Sequence, residues 1–550
     1  MKTKRSGLIV FRLILITGLI TGIFWYSAYA TDFDRDFFGD LAVGIPHEDW
    51  DVGEGNAGLV NIIYGEEDGY YTGNQTIYQD IAGGGELSEE NDFFGQALAI
   101  GDFDCDGFAD LVIGAPYENL GADSSTGALH VVYGRSTGLH PASAWFLNQD
   151  TGIQDATEDD DNFGATLAVG NFDGAGCDDL AIGVPGEGLE TTGDTYAGAV
   201  QILYSDSSGL MTDFNQFWTE DIISLNSTGD EDPSEDSDYF GKALAAGDFN
   251  RDGRDDLAIG IPGEDIGDPP QAEAGAIYVM YGTGSGFTGE KAKFLYQNGT
   301  VDDGLQASDE FGSVLATGDF DGDGYDDLAV GIPYESVNLL SGAGAVQVFY
   351  GSNTGIQPLT SSQFIHRDLL GDPLPPNASD HFGWALAAGD FDFNGCDDLA
   401  IGIPDFDTTT LAEVGGTYVL YGFKPDGLTT DWSEIDNWHQ GYGGLENETE
   451  PNDRMGYSLA AGNLNGDQYA DLVIGVPYED DDSFSPEISD AGAIHIILGS
   501  DDGLSHVGNL FLDQGSTGIA DGPESSDLFG EVLAALPQIW VYNYLPLIIR

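Results

Sequence analysis

One acidic bend, repeated seven times at a nearly constant interval, restricts this 550-residue chain more than any other feature of its sequence. The copies read "DFDRDFFGDLAVGIP" from 32, "DFDCDGFADLVIGAP" from 102, "NFDGAGCDDLAIGVP" from 171, "DFNRDGRDDLAIGIP" from 248, "DFDGDGYDDLAVGIP" from 319, "DFDFNGCDDLAIGIP" from 390 and "NLNGDQYADLVIGVP" from 463. Their starts lie 70, 69, 77, 71, 71 and 73 residues apart. A fixed period of this length marks a repeat architecture, in which each unit must stack on its neighbours to bury its faces.

The bend itself has a chemical reading. In the copy from 319, Asp319, Asp321, Asp323 and Asp327 put four carboxylates in nine residues. Charges this close repel unless a cation sits among them, and Asp at alternate positions followed by Gly curls oxygens around a hard divalent ion. An EF-hand would continue to a Glu at position twelve between two helices. Here position twelve is Val330, inside a short aliphatic run bounded by Gly and Pro that reads as a strand. The pattern therefore predicts a nine-residue calcium turn between strands, with side chains at positions one, three, five and nine and the backbone carbonyl of position seven as ligands.

Up to seven Ca2+ ions are expected on this scheme. The fifth turn adds the carbonyl of Tyr325 to its four Asp; the first turn offers Asp32, Asp34, Asp36, Phe38 and Asp40, and the second Asp102, Asp104, Asp106, Phe108 and Asp110. The third offers Asn171, Asp173, Cys177 and Asp179, with Ala175 at position five, and the fourth Asp248, Asn250, Asp252, Arg254 and Asp256. The sixth offers Asp390, Asp392, Asn394, Cys396 and Asp398, and the seventh Asn463, Asn465, Asp467, Tyr469 and Asp471. The turns at 171 and 463 keep two carboxylates each and are expected to bind weakest. Phe37 and Gln468 stand where Gly eases the bend elsewhere, so those two turns are expected to be distorted.

The surroundings of the bend repeat too. "FGQALAIG" (94–101) precedes the second turn and "GALHVVYG" (127–134) follows it, which gives four strands per unit, the fourth near "ASAWFLNQD" (142–150) being the least clear. One small antiparallel sheet cannot bury both its faces alone. Radial stacking of seven such sheets makes a β-propeller. The ends of the array carry an independent sign of closure. Asp32 already begins a turn, so the first unit lacks its opening strand, whereas "LFGEVLAAL" (528–536) has the opening strand and no turn after it. This one-step offset predicts an all-β, seven-bladed propeller over 31–536, closed by pairing N- and C-terminal strands in one blade and leaving no exposed sheet edge.

Phe94-Gly95 and Gly114-Ala115-Pro116, with the acidic turn between them, resemble the FG-GAP repeat of integrin α-subunit head propellers. The resemblance implies a propeller with calcium turns on one face and recognition loops on the other, and it implies adhesion. Integrin α subunits carry such turns in only some blades and continue into leg domains, a membrane span and a cytoplasmic tail, whereas this chain ends at Arg550. It is therefore expected to be a stand-alone, integrin-like repeat protein.

Composition narrows the partners. With 15 Lys and Arg against 96 Asp and Glu, a net charge of −81 argues against nucleic acid and against anionic membrane surfaces. The turns hold 22 of these acids, and seven divalent ions would leave about −67, most of it solvated surface with a cation-dependent contact as the alternative use. The segment 1–30 has Lys2, Lys4 and Arg5, an apolar stretch and Ala28-Tyr29-Ala30, which predicts an export signal cleaved after Ala30; Arg12 leaves a retained anchor as the competing reading. The product is expected to be secreted or held at the cell surface. The apolar tail 537–550 reads as a docking strand or an anchoring signal. The three cysteines, Cys105, Cys177 and Cys396, each fall in a calcium turn, and this equivalent, well-separated placement predicts free thiols. Sequons stand at Asn74, Asn226, Asn298, Asn377 and Asn447.

Catalytic patterns are thin. "GRSTG" (134–138) fits a nucleophile elbow but falls where other units have "GSNTG" and "GTGSG", a turn without a following helix. "DDSFS" (481–485) lacks the alternating helix-strand context of a metal-dependent adhesion site, and the eight His show no zinc spacing. The leading expectation is a recognition or adhesion module for protein or glycan, not an enzyme. A polysaccharide lyase or hydrolase on a propeller scaffold and a structural cell-surface protein are the alternatives.

Overall fold

A computed structural model describes residues 32–535 apart from 37, 50–54, 66–73, 83–86, 190–192, 227–233, 268, 298–304, 358–360, 442–444, 446, 448, 482–487, 517, 518, 520 and 521. The expected export signal and apolar tail lie outside the described residues.

Seven four-stranded antiparallel sheets follow one another along the chain. Blade 5 is representative. Its inner strand, Val314–Gly318, leads through the turn into Asp327–Ile332, then Ala345–Phe349 and Gln363–Ile365, and neighbours in sequence are neighbours in the sheet. Blade 1 is composite. Val532–Ala534, near the C-terminal end of the described chain, pairs with Leu41–Ile45, with Val43 opposite Leu533, and Leu59–Ile63 and Gln75–Ile77 complete the sheet. The inner strands Ala97–Gly101, Thr166–Gly170, Ala243–Gly247, Val314–Gly318, Leu386–Gly389, Leu459–Gly462 and Val532–Ala534 each touch the next, and the last touches the first, so the ring is closed. The fourth strand was faint in the sequence because in most blades it is three residues long, too short to show an alternation, as in Trp145–Leu147.

The repeated run "DLAVGIP" is explained by its two faces. All six residues of Asp327–Ile332 are buried, because the sheet is covered on both sides by other blades. Leu328, Val330 and Ile332 pack back on Ile277 and Val279 of blade 4, while Ala329 shares a cluster with Leu399, Ile401 and Ile403 of blade 6. Large residues fill one boundary and small ones admit the next blade. At Gly331 the two blades approach closely, since a Cβ there would stand 2.3 Å from the carbonyl oxygen of Gly383. Gly383 in turn donates its N–H to the Gly402 carbonyl at 3.2 Å within blade 6. The Phe-Gly and Gly-x-Pro elements are thus two halves of one contact between blades, and Phe382 beside it is fully buried.

Candidate metal centres

Six turns join an inner strand to the second strand of their blade, and the first turn leads directly into the second strand of the composite blade, so all seven lie at one end of the sheets. In blade 5, Gly322 and Gly324 take φ of 67° and 87°, the left-handed region that lets the bend close. Asp319 Oδ2 accepts the N–H of Gly324 at 2.9 Å, Asp321 Oδ1 that of Asp323 at 3.1 Å, and Asp323 Oδ1 that of Tyr325 at 3.1 Å. Asp327 accepts two backbone N–H groups, from Phe320 on Oδ2 and Gly351 on Oδ1, both at 2.8 Å. Position nine therefore also ties the turn to the third strand, and every blade repeats the tie, from Gly65 on Asp40 to Gly499 on Asp471.

The structure brings ligand oxygens of Asp319, Asp321 and Asp327 within 4.8 Å of one another, and does the same for Asp102, Asp104 and Asp110 and for Asp32, Asp34 and Asp36. These belong to the three turns with four Asp each. Two buried oxygens, Asp34 Oδ1 and Asp319 Oδ1, have no hydrogen-bond partner. Burial, reinforced by neighbouring turn carboxylates, pushes Asp327 up to about 9 and Asp110 and Asp256 to about 8. Such a set holds protons unless a positive ion sits among the oxygens, and an all-oxygen donor set of this charge fits Ca2+. In the fourth turn the Nδ2 of Asn250 faces Asp256 at 2.9 and 3.1 Å. The seventh turn departs as expected from Gln468, whose φ of 156° differs from the 82–109° of the glycines at position six in the second to sixth turns.

Neighbouring turns also hold one another. The N–H of position eight donates to the carbonyl of position one in the preceding turn at all seven boundaries, over 2.9–3.3 Å, with Gly39 to Asn463 closing the circle. In four turns position eight is itself an Asp, and the carboxylates of Asp178, Asp255, Asp326 and Asp397 accept the position-one N–H of the preceding turn at 2.8, 2.7, 2.7 and 2.9 Å. Sequence reasoning passed over these four. Their signal was the doubled Asp of "DDLA", whose first member cannot reach its own turn's centre.

At six boundaries position four of one turn meets position seven of the next. Arg35 lies over the Phe108 ring with Cζ 5.6 Å from its centroid, Arg251 lies over Tyr325 at 5.9 Å, and Phe393 meets Tyr469 edge-on at 5.8 Å. The same pairing overturns the expectation of three free thiols. Cys105 at position four and Cys177 at position seven of the next turn form a disulfide, with Cα atoms 5.1 Å apart across 72 residues. The two turns are equivalent along the chain, but around the ring position four of one faces position seven of the next. Cys396 remains free and buried, because its partner position is Gly322.

The opposite end of the sheets is aromatic. Tyr334 packs against His381 at 5.2 Å and Trp384 at 6.4 Å, Trp384 against Tyr457 at 5.5 Å, and Tyr457 against Tyr478 at 6.0 Å. Arg454 caps this band with Cζ 5.2 Å from the Tyr478 centroid and pairs with Asp405 at 3.2 Å and Glu413 at 2.9 Å. Each ring precedes an inner strand or follows a second strand, which places it away from the acidic turns. Five partly exposed rings thus run across blades 5, 6 and 7.

A model of the FG-GAP repeat matches the chain seven times, over 24–62, 94–132, 163–203, 240–280, 311–349, 382–420 and 455–497, together more than half its length. The chain is an FG-GAP repeat protein. Its repeats are similar to integrin alpha-PS2 of Drosophila melanogaster, 34% identical over 256 residues that make up 45% of this chain and 16% of that protein. Integrin alpha pat-2 of Caenorhabditis briggsae is 33% identical over 44% of this chain and 18% of its own length, and phosphatidylinositol-glycan-specific phospholipase D of Rattus norvegicus is 37% identical over 30% and 18%. The chain thus spans less than a fifth of the length of these relatives. The crystal structure of exotype rhamnogalacturonan lyase YesX covers 86% of this chain and 72% of its own at 14% identity, with a TM-score of 0.37, too low to carry an argument. Among the described residues no helix is long and apolar enough to cross a membrane.

Proposed function

We propose that this FG-GAP propeller is an exported, calcium-binding recognition module that takes a protein or glycan ligand on the aromatic face opposite its acidic turns. The aromatic band carries the reading. Tyr334, His381, Trp384, Tyr457 and Tyr478 form one surface across three blades, and rings held edge to edge by packing offer contact area at low entropic cost. Ligation by the turn oxygens of positions one, three, five and nine would neutralise the belt and brace the blades that carry this face. The integrin similarity supports adhesion, and the Cys105–Cys177 disulfide suits an oxidising compartment.

The test is an array of glycans and extracellular proteins probed in calcium with the full chain and with Trp384→Ala and Tyr457→Ala. A ligand bound by the parent and at least tenfold weaker with both variants, at unchanged melting temperature, supports the reading. Equal binding by the variants would overturn it. Release of products from a polysaccharide during incubation would move the assignment to an enzyme.

A further inference from the structure

A second set of acidic residues lies between the blades, away from the turns. At five boundaries a glutamine after the fourth strand donates Nε2 to the glutamate that follows the Gly-x-Pro of the next blade, as Gln149 does to Glu187 at 3.2 Å and Gln514 to Glu48 at 3.0 Å across the closure. Between blades 2 and 3 this pair is joined by Glu158 and Asp161. Ligand oxygens of Glu158, Asp161 and Glu187 lie within 4.8 Å of one another. Asp161 is 1% exposed; its Oδ2 accepts the N–H of Glu158 at 2.6 Å and its Oδ1 has no hydrogen-bond partner. Gln149 is 2% exposed, and its Oε1 also has none. The charged groups acting on Asp161 and Glu187 are Asp155, Glu158 and Asp159, all carboxylates. One amide N–H cannot balance them.

The boundary between blades 5 and 6 shows what can. There Arg367, 2% exposed, takes the place of Gln149, and its guanidinium binds Asp380, the counterpart of Asp161, and Asp372 at 2.7 Å. In the same boundary Asn377 replaces Glu158 and Phe406 replaces Glu187, so carboxylates recede where a covalent cation is supplied. Between blades 3 and 4 the opposite change occurs: Glu220 takes the glutamine's place, and Glu220, Asp238 and Glu264, all fully buried, cluster within 4.8 Å.

We infer that a hard divalent cation, calcium by its all-oxygen donors, binds between blades 2 and 3 on Glu158, Asp161, Glu187 and the amide oxygen of Gln149, as a clamp distinct from the hairpin turns. Turning the Gln149 amide by half a rotation exchanges Nε2 for Oε1 and presents the oxygen to the same space. The acidic set between blades 3 and 4 repeats the arrangement one boundary on.

Calcium bound per chain, measured by equilibrium dialysis with radioactive calcium, tests this on the parent, an Asp161→Asn and Glu187→Gln double variant, and Gln149→Arg, which copies the solution of Arg367. Both variants should bind one ion fewer than the parent, and Gln149→Arg should melt higher than the parent in chelator. Every chain compared keeps all seven turns, so the difference is independent of how many turns bind. A stoichiometry equal to the parent's in Gln149→Arg overturns the site, even if the double variant does not fold.

Discussion

Gly331→Ala isolates the contact on which the ring depends. The backbone of Gly331 lies outside the left-handed region, so alanine is not excluded by its φ. The obstacle is steric: the new Cβ would stand 2.3 Å from the Gly383 carbonyl oxygen and 2.9 Å from Val314 Cβ. Relief needs the two blades to part by about 1 Å, because ordinary contacts begin near 3.4 Å. Gly383 cannot yield locally, since its φ of 93° and its N–H bond to Gly402 hold it in place. Overpacking of this kind costs about 1–3 kcal/mol, offset by roughly 0.5 kcal/mol from a stiffer unfolded chain. For a unit of some 500 residues the unfolding entropy makes 1 kcal/mol worth roughly 1 °C. Scanning calorimetry in calcium should therefore show a fall of about 0.5–2.5 °C. Gly522→Ala, where no atom lies within 4 Å of the added Cβ, should show no fall. Equal melting of the two variants would refute the idea that the Gly-x-Pro glycine is kept for close approach.

Asp321→Ala should leave stability in chelator nearly unchanged and remove about 2.7 kcal/mol of the calcium-dependent gain when calcium stands at a hundred times the dissociation constant of that turn; urea midpoints with and without calcium measure it. Replacing both Cys105 and Cys177 by Ser should cost roughly 4 kcal/mol on the chain-entropy model for a 72-residue separation, read as a lower midpoint that reductant no longer shifts. His495 is fully buried beside Phe511, its ring nitrogens have no hydrogen-bond partner, and burial holds it down to about 4. The folded state keeps it neutral while the unfolded chain protonates near pH 6.5, so its contribution is present above that pH and is lost as pH falls toward 4, by about 3 kcal/mol in all. His495→Gln should flatten this limb, because Gln201 and Gln347 at the same strand position bond the fourth-strand backbone at 2.9 and 3.0 Å. An unchanged acid limb in the variant would rule out His495 as its source.

Much of the architecture was legible because its signals are local and periodic. Turn spacing, the aliphatic run and the offset between openings and turns all repeat within one unit, and a composite blade was their direct consequence. The doubled Asp of "DDLA" was visible too, yet its role was not, since its acceptor contact belongs to a turn more than seventy residues earlier. The free-thiol expectation failed for the same reason: comparing equivalent loops aligns position four with position four, whereas stacking turns each blade so that four meets seven.

By itself the sequence determined the number of blades, the place where the circle closes and which bends gather carboxylates, because each follows from residues within one strand-turn-strand piece. Tertiary structure alone decided the Cys105–Cys177 bond, the acidic set between blades 2 and 3 and the aromatic band across blades 5 to 7. Each of these is made by side chains from separate units, and the rotation relating one sheet to the next, which no single repeat encodes, sets which of them meet.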